Sequence, residues 1–335
     1  MIAPNPGAEP SEVRPVLAAA AEYALSAPSV FNTQPWRWRI SSGGMLALRA
    51  DAGRQLRRTD PHRRLLLVSC GAALHHARLA LAVAGYRTDV VRFPDDADPD
   101  LLAEITISGQ QEPDPEQLRQ HQAAGLRRTD RRAFDDRPVP ETILHRLRQV
   151  VEAEGAYLHL VRPDQIPMLA VATANAAAAE LDDPAYRGEL RQWTTRPPER
   201  RDGVPASVVV RPVPRRVPIR DHTLGGTPGV EAGRGTDRGA AYLILFGRDD
   251  SPGDLLTGGE ALSALLLTAV AEGLATAPLS DPIELDWPRW LLRNLLADVG
   301  EPYLVVRVGF CADSSPLPGT PRRQAADVIE YTDPN

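Results

Sequence analysis

Ala27-Pro28-Ser29-Val30-Phe31-Asn32-Thr33-Gln34-Pro35-Trp36 is the stretch whose reading decides the fold. Pro28 and Pro35 fix φ and discourage helix on either side of the loop. Between them Ser29, Asn32, Thr33 and Gln34 offer donors and acceptors to a planar polar edge. Upstream, residues 12–26 carry Val13, Val16, Leu17, Ala20, Ala21, Tyr23 and Ala24 at helical spacing, a small-residue face suited to close packing. Downstream, Trp36-Arg37-Trp38-Arg39-Ile40 alternates as a half-buried strand does. A helix ends, a polar loop turns and a strand leaves.

Taken as an ordered string, Pro-Ser-x-x-Asn-x-Gln-Pro-Trp resembles the flavin-contacting loop of the nitroreductase superfamily, and its Asn32-Thr33-Gln34-Pro35-Trp36 form is most similar to the Acg-type branch. The resemblance implies an α+β, nitroreductase-like fold with a mixed sheet flanked by helices. It implies FMN as cofactor, NAD(P)H as electron donor and a small electrophile as acceptor. In that pattern Pro28, Ser29, Asn32 and Gln34 approach the flavin.

The chain beyond the loop reads as alternating elements. Residues 36–40 and 45–50 make a hairpin through Ser41-Ser42-Gly43-Gly44. A long apolar helix runs from Asp60-Pro61 to a stop at Gly85, apolar around most of its surface and therefore suited to a core or an interface. Strands are expected at 88–93 and 101–108, then a short helix at 117–124. A helix at 141–154, a strand at 156–161 and an Ala-rich helix at 165–181 follow. The last apolar elements are a strand at 240–246, a second strongly apolar helix at 254–273, a helix at 287–296 and a final strand at 303–310.

A second polar knot lies at Arg127-Arg128-Thr129-Asp130-Arg131-Arg132-Ala133-Phe134. Guanidinium forks and a hydroxyl spaced two apart can converge on a phosphate; such a run with Asp nearby also suits a solvated, self-paired face. Arg-x-Ser/Thr-x-Arg followed by a Phe and a Val-Pro before a helix resembles the opening of nitroreductase-like chains. By that resemblance Arg127, Thr129 and Arg131 bind the FMN phosphate and ribityl chain. Phe134 stands one residue later than usual, which leaves Arg128 and Arg132 as substitutes. Gly273 to Ser280 is expected to be a turn, with Pro278, Leu279 and Ser280 at the ring's far edge by resemblance. Arg322 and Arg323 near the C-terminus are phosphate candidates on the same ground, with a solvated tail as the competing reading.

Residues 193–238 shift to Pro, Arg, Gly and Thr and are too long for a tight connection. They read as a lid or as a disordered excursion; Trp193 and the apolar positions of 204–213 favour docking, and the Acg resemblance implies a cover over the flavin.

The two apolar helices repeat. Gly71, Ala73, Leu74, Leu79, Gly85 and Thr88 correspond without gaps to Gly259, Ala261, Leu262, Leu267, Gly273 and Thr276, each 188 residues on. This suggests a tandem duplication forming an intramolecular pseudo-dimer, with halves 1–125 and 126–335. The first half owns the polar loop and lacks the Arg-x-Thr-x-Arg cluster; the second owns the cluster and lacks the loop. Nitroreductase dimers build each site from both subunits, so the resemblance implies one surviving site across the halves, in a protein that needs no partner copy.

Composition sets outer bounds. The chain has 335 residues and a net charge of −6 without a basic tract, which argues against nucleic acid or an anionic membrane as main partner. Met1 to Pro6, within a short leader expected to be mobile, lacks the features of a signal peptide, and no uninterrupted apolar run is long enough to span a bilayer. A cytoplasmic protein is expected. Cys70 and Cys311 read as buried small hydrophobes, and His75 and His76 as structural, with no metal set. No Ser-His-Asp arrangement, dinucleotide fingerprint, Walker loop or His-Glu-x-x-His is present. Polar loops without acid-base machinery suit a flavin, which carries its own reactive atom. Three functions remain open: an FMN-dependent oxidoreductase, an FMN-sequestering protein with little turnover, and a scaffold that has lost flavin altogether.

Overall fold

The computed structural model describes residues 10–223, 225–313 and 315–332. The short leader expected at the N-terminus lies outside the described residues.

Helix α1 (Pro10–Ala24) delivers the polar loop, because its Val13, Leu17, Ala20, Ala21 and Ala24 are buried on one face. Strands β1 (Trp36–Ser41) and β2 (Met45–Ala50) pair antiparallel, with Trp36, Trp38 and Ile40 inward and Arg39 outward. Gly44, at φ 80°, takes the left-handed position of their turn. Helix α2 (Arg64–Val83) is followed by Gly85 at φ 90°, then by β3 (Tyr86–Arg92) and β4 (Leu101–Gln110). Asp60 opens α2 by accepting from the Leu66 amide at 2.8 Å, and burial pushes its carboxyl up to about 6.

Helices α3 (Pro115–Leu126) and α4 (Glu141–Ala153) lead to β5 (Tyr157–Leu160), α5 (Ile166–Asp182) and α6 (Pro184–Thr194). Then come β6 (Ala241–Gly247), α7 (Pro252–Ala271), β7 (Ala275–Leu279), the short α8 (Asp281–Glu284), α9 (Asp286–Leu295), β8 (Glu301–Gly309) and β9 (Ile329–Thr332).

There are two sheets, ordered β3-β4-β2-β1-β9 and β5-β6-β8-β7. Without β9 the first is β1-β2-β4-β3, the same order and the same antiparallel pairings as the second. The parallel pairing of β9 on β1 makes the first sheet mixed.

Helices α2 and α7 cross at the centre with their backbones in contact. A β-carbon on Gly71 would collide with the Leu256 carbonyl, and one on Gly259 with the Val68 carbonyl. The two collisions are one contact read in both directions, since 68 and 256, like 71 and 259, differ by 188. His75 and Ser263, again 188 apart, hydrogen-bond to each other at 2.9 Å. By length and composition both helices could cross a membrane, yet each is mostly packed inside the protein, the signature of a core helix.

Four expectations change. Residues 275–279, expected as part of a turn, are strand β7, because β8 offers a full antiparallel partner. Strand β8 is not the last: the tail returns to the first sheet as β9, where Ile329 faces Trp38. Helix α6, short and capped by Asp183, had no long apolar repeat to mark it. Cys70 is fully buried, its thiol pushed up by burial, whereas Cys311 is only half-buried.

Candidate functional site

The polar loop is a strained turn. Phe31, Asn32 and Gln34 stand at φ 48°, 54° and 50°, left-handed backbone that non-glycine residues adopt at a cost on the order of 1 kcal/mol each. Local hydrogen bonds hold it: the Gln34 amide donates to Ser29 Oγ at 2.9 Å and the Thr33 hydroxyl to the Val30 carbonyl at 2.9 Å.

This loop walls a two-lobed cavity. Pro28, Ser29, Phe31, Thr129 and Arg131 line both lobes. The first lobe is apolar, with Leu65 and Val68 of α2, Leu262 of α7 and Pro278 and Leu279 of β7 around it. It has one polar end, where Ser280, Asp281, Arg131, Arg220 and His222 meet. The second lobe is cationic, ringed by Arg127, Arg128, Arg322 and Thr320.

The cationic lobe is electrostatically unfinished. Arg127 is buried, and its Nε and Nη1 atoms have no hydrogen-bond partner. Burial first, then Arg322 and Arg128, pushes its guanidinium down to about 9. Burial and Arg128 push Arg322 down to about 10. No carboxylate enters either balance. Clustered cations around one buried guanidinium, without counter-charge, call for an anion, and a fork of guanidinium donors suits phosphate.

The polar end of the apolar lobe is the reverse case. Arg220 Nη2 meets Glu180 at 2.9 Å, Asp281 at 2.7 Å and Glu284 at 2.6 Å, and its guanidinium lies over the Phe31 ring at 4.8 Å. Burial pushes Glu180 up to about 8 and raises Asp281 too, because one guanidinium faces three buried carboxyls.

Residues 193–238 fold down over this cavity. Trp193, Val204, Val208 and Val209 form a small core of their own with Phe31, Leu56, Tyr186 and Leu190. The Gly203 amide donates to the Asn32 carbonyl, Arg54 pairs with the buried Asp202, and Ile219, Arg220 and His222 line the apolar lobe. The disordered reading is thereby set aside for the described residues of the segment.

No family model matches the chain. A Mycobacterium tuberculosis H37Rv protein provisionally named NAD(P)H nitroreductase acg is 36% identical over 317 residues, covering 94% of this chain and 95% of its own. A second protein of that strain, also provisionally named an NAD(P)H nitroreductase, is 37% identical over 318 residues, covering 92% and 89%. The chain belongs to the nitroreductase superfamily, in its Acg-type branch. The crystal structure of the FMN and NADPH-dependent nitroreductase NfnB from a Sphingopyxis strain aligns over 64% of this chain and 98% of its own, at TM-score 0.43 and 19% identity. That likeness is too distant to bear on the site.

Within this nitroreductase-family chain, Pro28, Ser29, Asn32, Arg127, Thr129, Arg131, Pro278, Leu279, Ser280 and Arg322 all line the cavity. Gln34 and Arg323 do not. Gln34 is fully buried, with its amide donating to the Arg201 carbonyl at 2.9 Å and accepting from the Arg323 amide at 2.9 Å. Arg323 donates to the Gln34, Trp36 and Asp327 carbonyls. Both serve the loop's own structure. Asn32 reaches the cavity wall, but its amide donates to the Gly203 and Pro321 carbonyls at 3.0 Å each and accepts from Arg322 at 2.9 Å. Its donors are both engaged by the chain.

The arginines of the cluster point in different directions. Arg132 turns away from the cavity and forks onto Asp130 at 2.8 Å, while Arg128 joins Arg127 in the cationic lobe. The solvated-tail reading of Arg322 gives way to a packed one, since its guanidinium also donates to the Ser26 carbonyl. His75 pairs with Ser263 and His76 with Ser26 at 3.0 Å, in keeping with structural roles.

Sequence reading missed Phe31, Ile219, Arg220, His222 and Asp281. Only the Arg-rich composition of the covering segment hinted at Arg220. On the counterpart face, reached by the 188-residue shift from Ala277-Pro278 to Asp89-Val90, the space holds an ion network. Fully buried Glu260 accepts from Arg78 at 2.7 Å and Arg92 at 2.8 Å, with Glu154 on Arg78.

Proposed function

We propose that this chain is an FMN-dependent oxidoreductase, moving a hydride from NAD(P)H to a nitroaromatic, quinone or similar small electrophile. The single observation that carries the reading is the buried guanidinium of Arg127, grouped with those of Arg128 and Arg322 without a carboxylate partner, beside an apolar slot. That donor set fits a phosphate, and the slot between Pro28-Ser29 and Pro278-Leu279 fits a planar ring. The names of the M. tuberculosis relatives point the same way.

In this reading Arg127, Arg128 and Arg322 hold the phosphate, Thr129 and Arg131 the linker between the lobes, and Pro28, Ser29, Pro278, Leu279 and Ser280 the ring. When bound, FMN supplies the hydride relay. The chain supplies orientation, exclusion of water by Ile219 and Phe31, and polar groups at one end of the slot. Asn32 acts as the clip that ties loop, tail and covering segment together.

The equal order of the two sheets and the reciprocal contacts of α2 and α7 support descent from two fused copies, halves 1–125 and 126–335, with residues 193–238 as a lid. The second site's place is a polar cavity edged by the paired Arg78, Arg92 and Glu154, without the free arginine cluster of the first, so one flavin is expected per chain and no partner copy is needed. A cytoplasmic location, with no nucleic-acid or membrane partner, accords with the charge and composition.

A second reading, flavin sequestration, is favoured by the tightness of the lid, held by Asn32 on one side and Arg220 on the other. The visible spectrum of the purified protein under anaerobic NADPH and then NADH separates the two. Bleaching of a flavin band supports the oxidoreductase; a band that persists supports sequestration; no band after added FMN overturns both.

A further inference from the structure

Asp281 is 3% exposed and lines the apolar lobe, and its Oδ2 atom has no partner while Oδ1 meets Arg220 at 2.7 Å. Behind it stand two more buried carboxyls, Glu180 and Glu284, on the same Arg220 nitrogen. Glu284 also accepts from the Tyr186 hydroxyl at 3.2 Å and keeps its Oε1 unpartnered. Three carboxylates and one shared guanidinium, buried together, cannot all ionise without severe like-charge repulsion.

The groups facing Asp281 are otherwise Arg131 across the cavity and His222, which burial keeps neutral; Asp60 adds to the negative field at Glu284. A proton is therefore retained within the cluster at neutral pH, and of the three carboxyl residues Asp281 is the one that lines the cavity.

We propose that Asp281, backed by Glu180 and Glu284, is the proton donor to the electrophile reduced in the apolar lobe. This rests on the oxidoreductase reading above. A two-electron reduction of a quinone or nitro group adds a hydride, from the reduced cofactor, and a proton. Here the Asp281 O–H bond breaks, the proton passes to the acceptor oxygen, and the carboxylate left behind is paired with Arg220. Glu180, on the same Arg220 nitrogen, and then solvent restore the proton.

The test uses the full-length holoprotein and p-benzoquinone. Wild type, Asp281→Asn and Glu180→Gln are compared for flavin retention, bleaching by NADPH, reoxidation rate against pH, and the protonated-carboxyl stretch in infrared spectra. In wild type, the carboxyl band and the reoxidation rate should both fall with rising pH as the cluster loses its retained proton. Asp281→Asn should keep its flavin and its bleaching rate, reoxidise about 100-fold more slowly and lose that pH limb, since general acids contribute roughly 10²–10⁴-fold. Glu180→Gln, which leaves the cavity wall intact, should move the limb to lower pH by removing a like charge.

An Asp281→Asn protein reoxidised at the wild-type rate with the wild-type pH limb overturns the proposal, as does a carboxyl band unaffected by both substitutions. Wild type that shows the carboxyl band but is never bleached by NADPH instead overturns the oxidoreductase reading, and the donor role with it.

Discussion

His75 Nδ1 and Ser263 Oγ lie 2.9 Å apart, and each stands where the other would after a 188-residue shift. A residue bonded to its own counterpart sits on the axis relating the two halves of the core. Nearby, Gly71 and Gly259 let α2 and α7 touch backbone to backbone. Gly71→Ala would drive a methyl into the Leu256 carbonyl, where backbone cannot yield as a side chain would. We expect a loss of about 1–3 kcal/mol, the usual cost of overpacking, read as a lowered urea midpoint with the slope unchanged.

Arg127→Ala should weaken FMN binding by roughly 10–100-fold, the equivalent of about 1.5–3 kcal/mol for a charge-assisted hydrogen bond. Because the guanidinium is buried without counter-charge, the same change should leave the urea midpoint level or raise it. Fluorescence titration with FMN and urea denaturation measure the two effects separately.

Arg323→Ala is expected to show the opposite division. Its guanidinium donates to the Gln34, Trp36 and Asp327 carbonyls rather than to the cavity, so stability should fall by about 1–3 kcal/mol. FMN affinity measured under native conditions should change less than twofold.

Asn32→Ala breaks the side-chain bonds to Gly203, Pro321 and Arg322 in one step. Hydrogen exchange should rise across residues 200–210 and 318–323, and bound FMN should dissociate faster. An unchanged exchange pattern would show that the small core around Phe31 and Trp193 holds the segment by itself.

Glu180 gives stability a pH dependence of defined sign. Its carboxyl titrates near 8 when folded, above its ordinary unfolded range, so the folded state binds the extra proton. That contribution is full at acid pH and is lost as pH rises towards 8. The urea midpoint of wild type should decline across that window, and Glu180→Gln should flatten the decline.

Most of this architecture was legible in the chain because it is written in apolar periodicity. Trp36, Trp38 and Ile40 alternate inward, and α2 and α7 are apolar nearly all round. Arg127, Thr129 and Arg131, which line the cavity, were legible too, through the resemblance of their Arg-x-Thr-x-Arg spacing to nitroreductase-like chains. What escaped reading was orientation within polar loops. Gln34 and Asn32 are both amides two residues apart, yet one holds the loop from beneath and the other ties it to Gly203 of the covering segment, a distinction set by left-handed backbone at Phe31, Asn32 and Gln34. Arg220 and Asp281 escaped for another reason: Arg220 meets Glu180, Asp281 and Glu284 at sequence separations of 40, 61 and 64, and no local pattern marks a charge cluster assembled from separate elements.

The parallel pairing of β9 with β1 also orders events at the ribosome. Trp38 is among the first core residues to emerge, and its strand neighbour Ile329 among the last. The outer edge of β1 must wait for nearly the whole chain to be synthesised. The tail that crosses it carries Arg322, so the cationic lobe is completed in the same closing step. A nascent chain cut short before residue 320 would lack β9 and Arg322, and with them one wall of the cationic lobe.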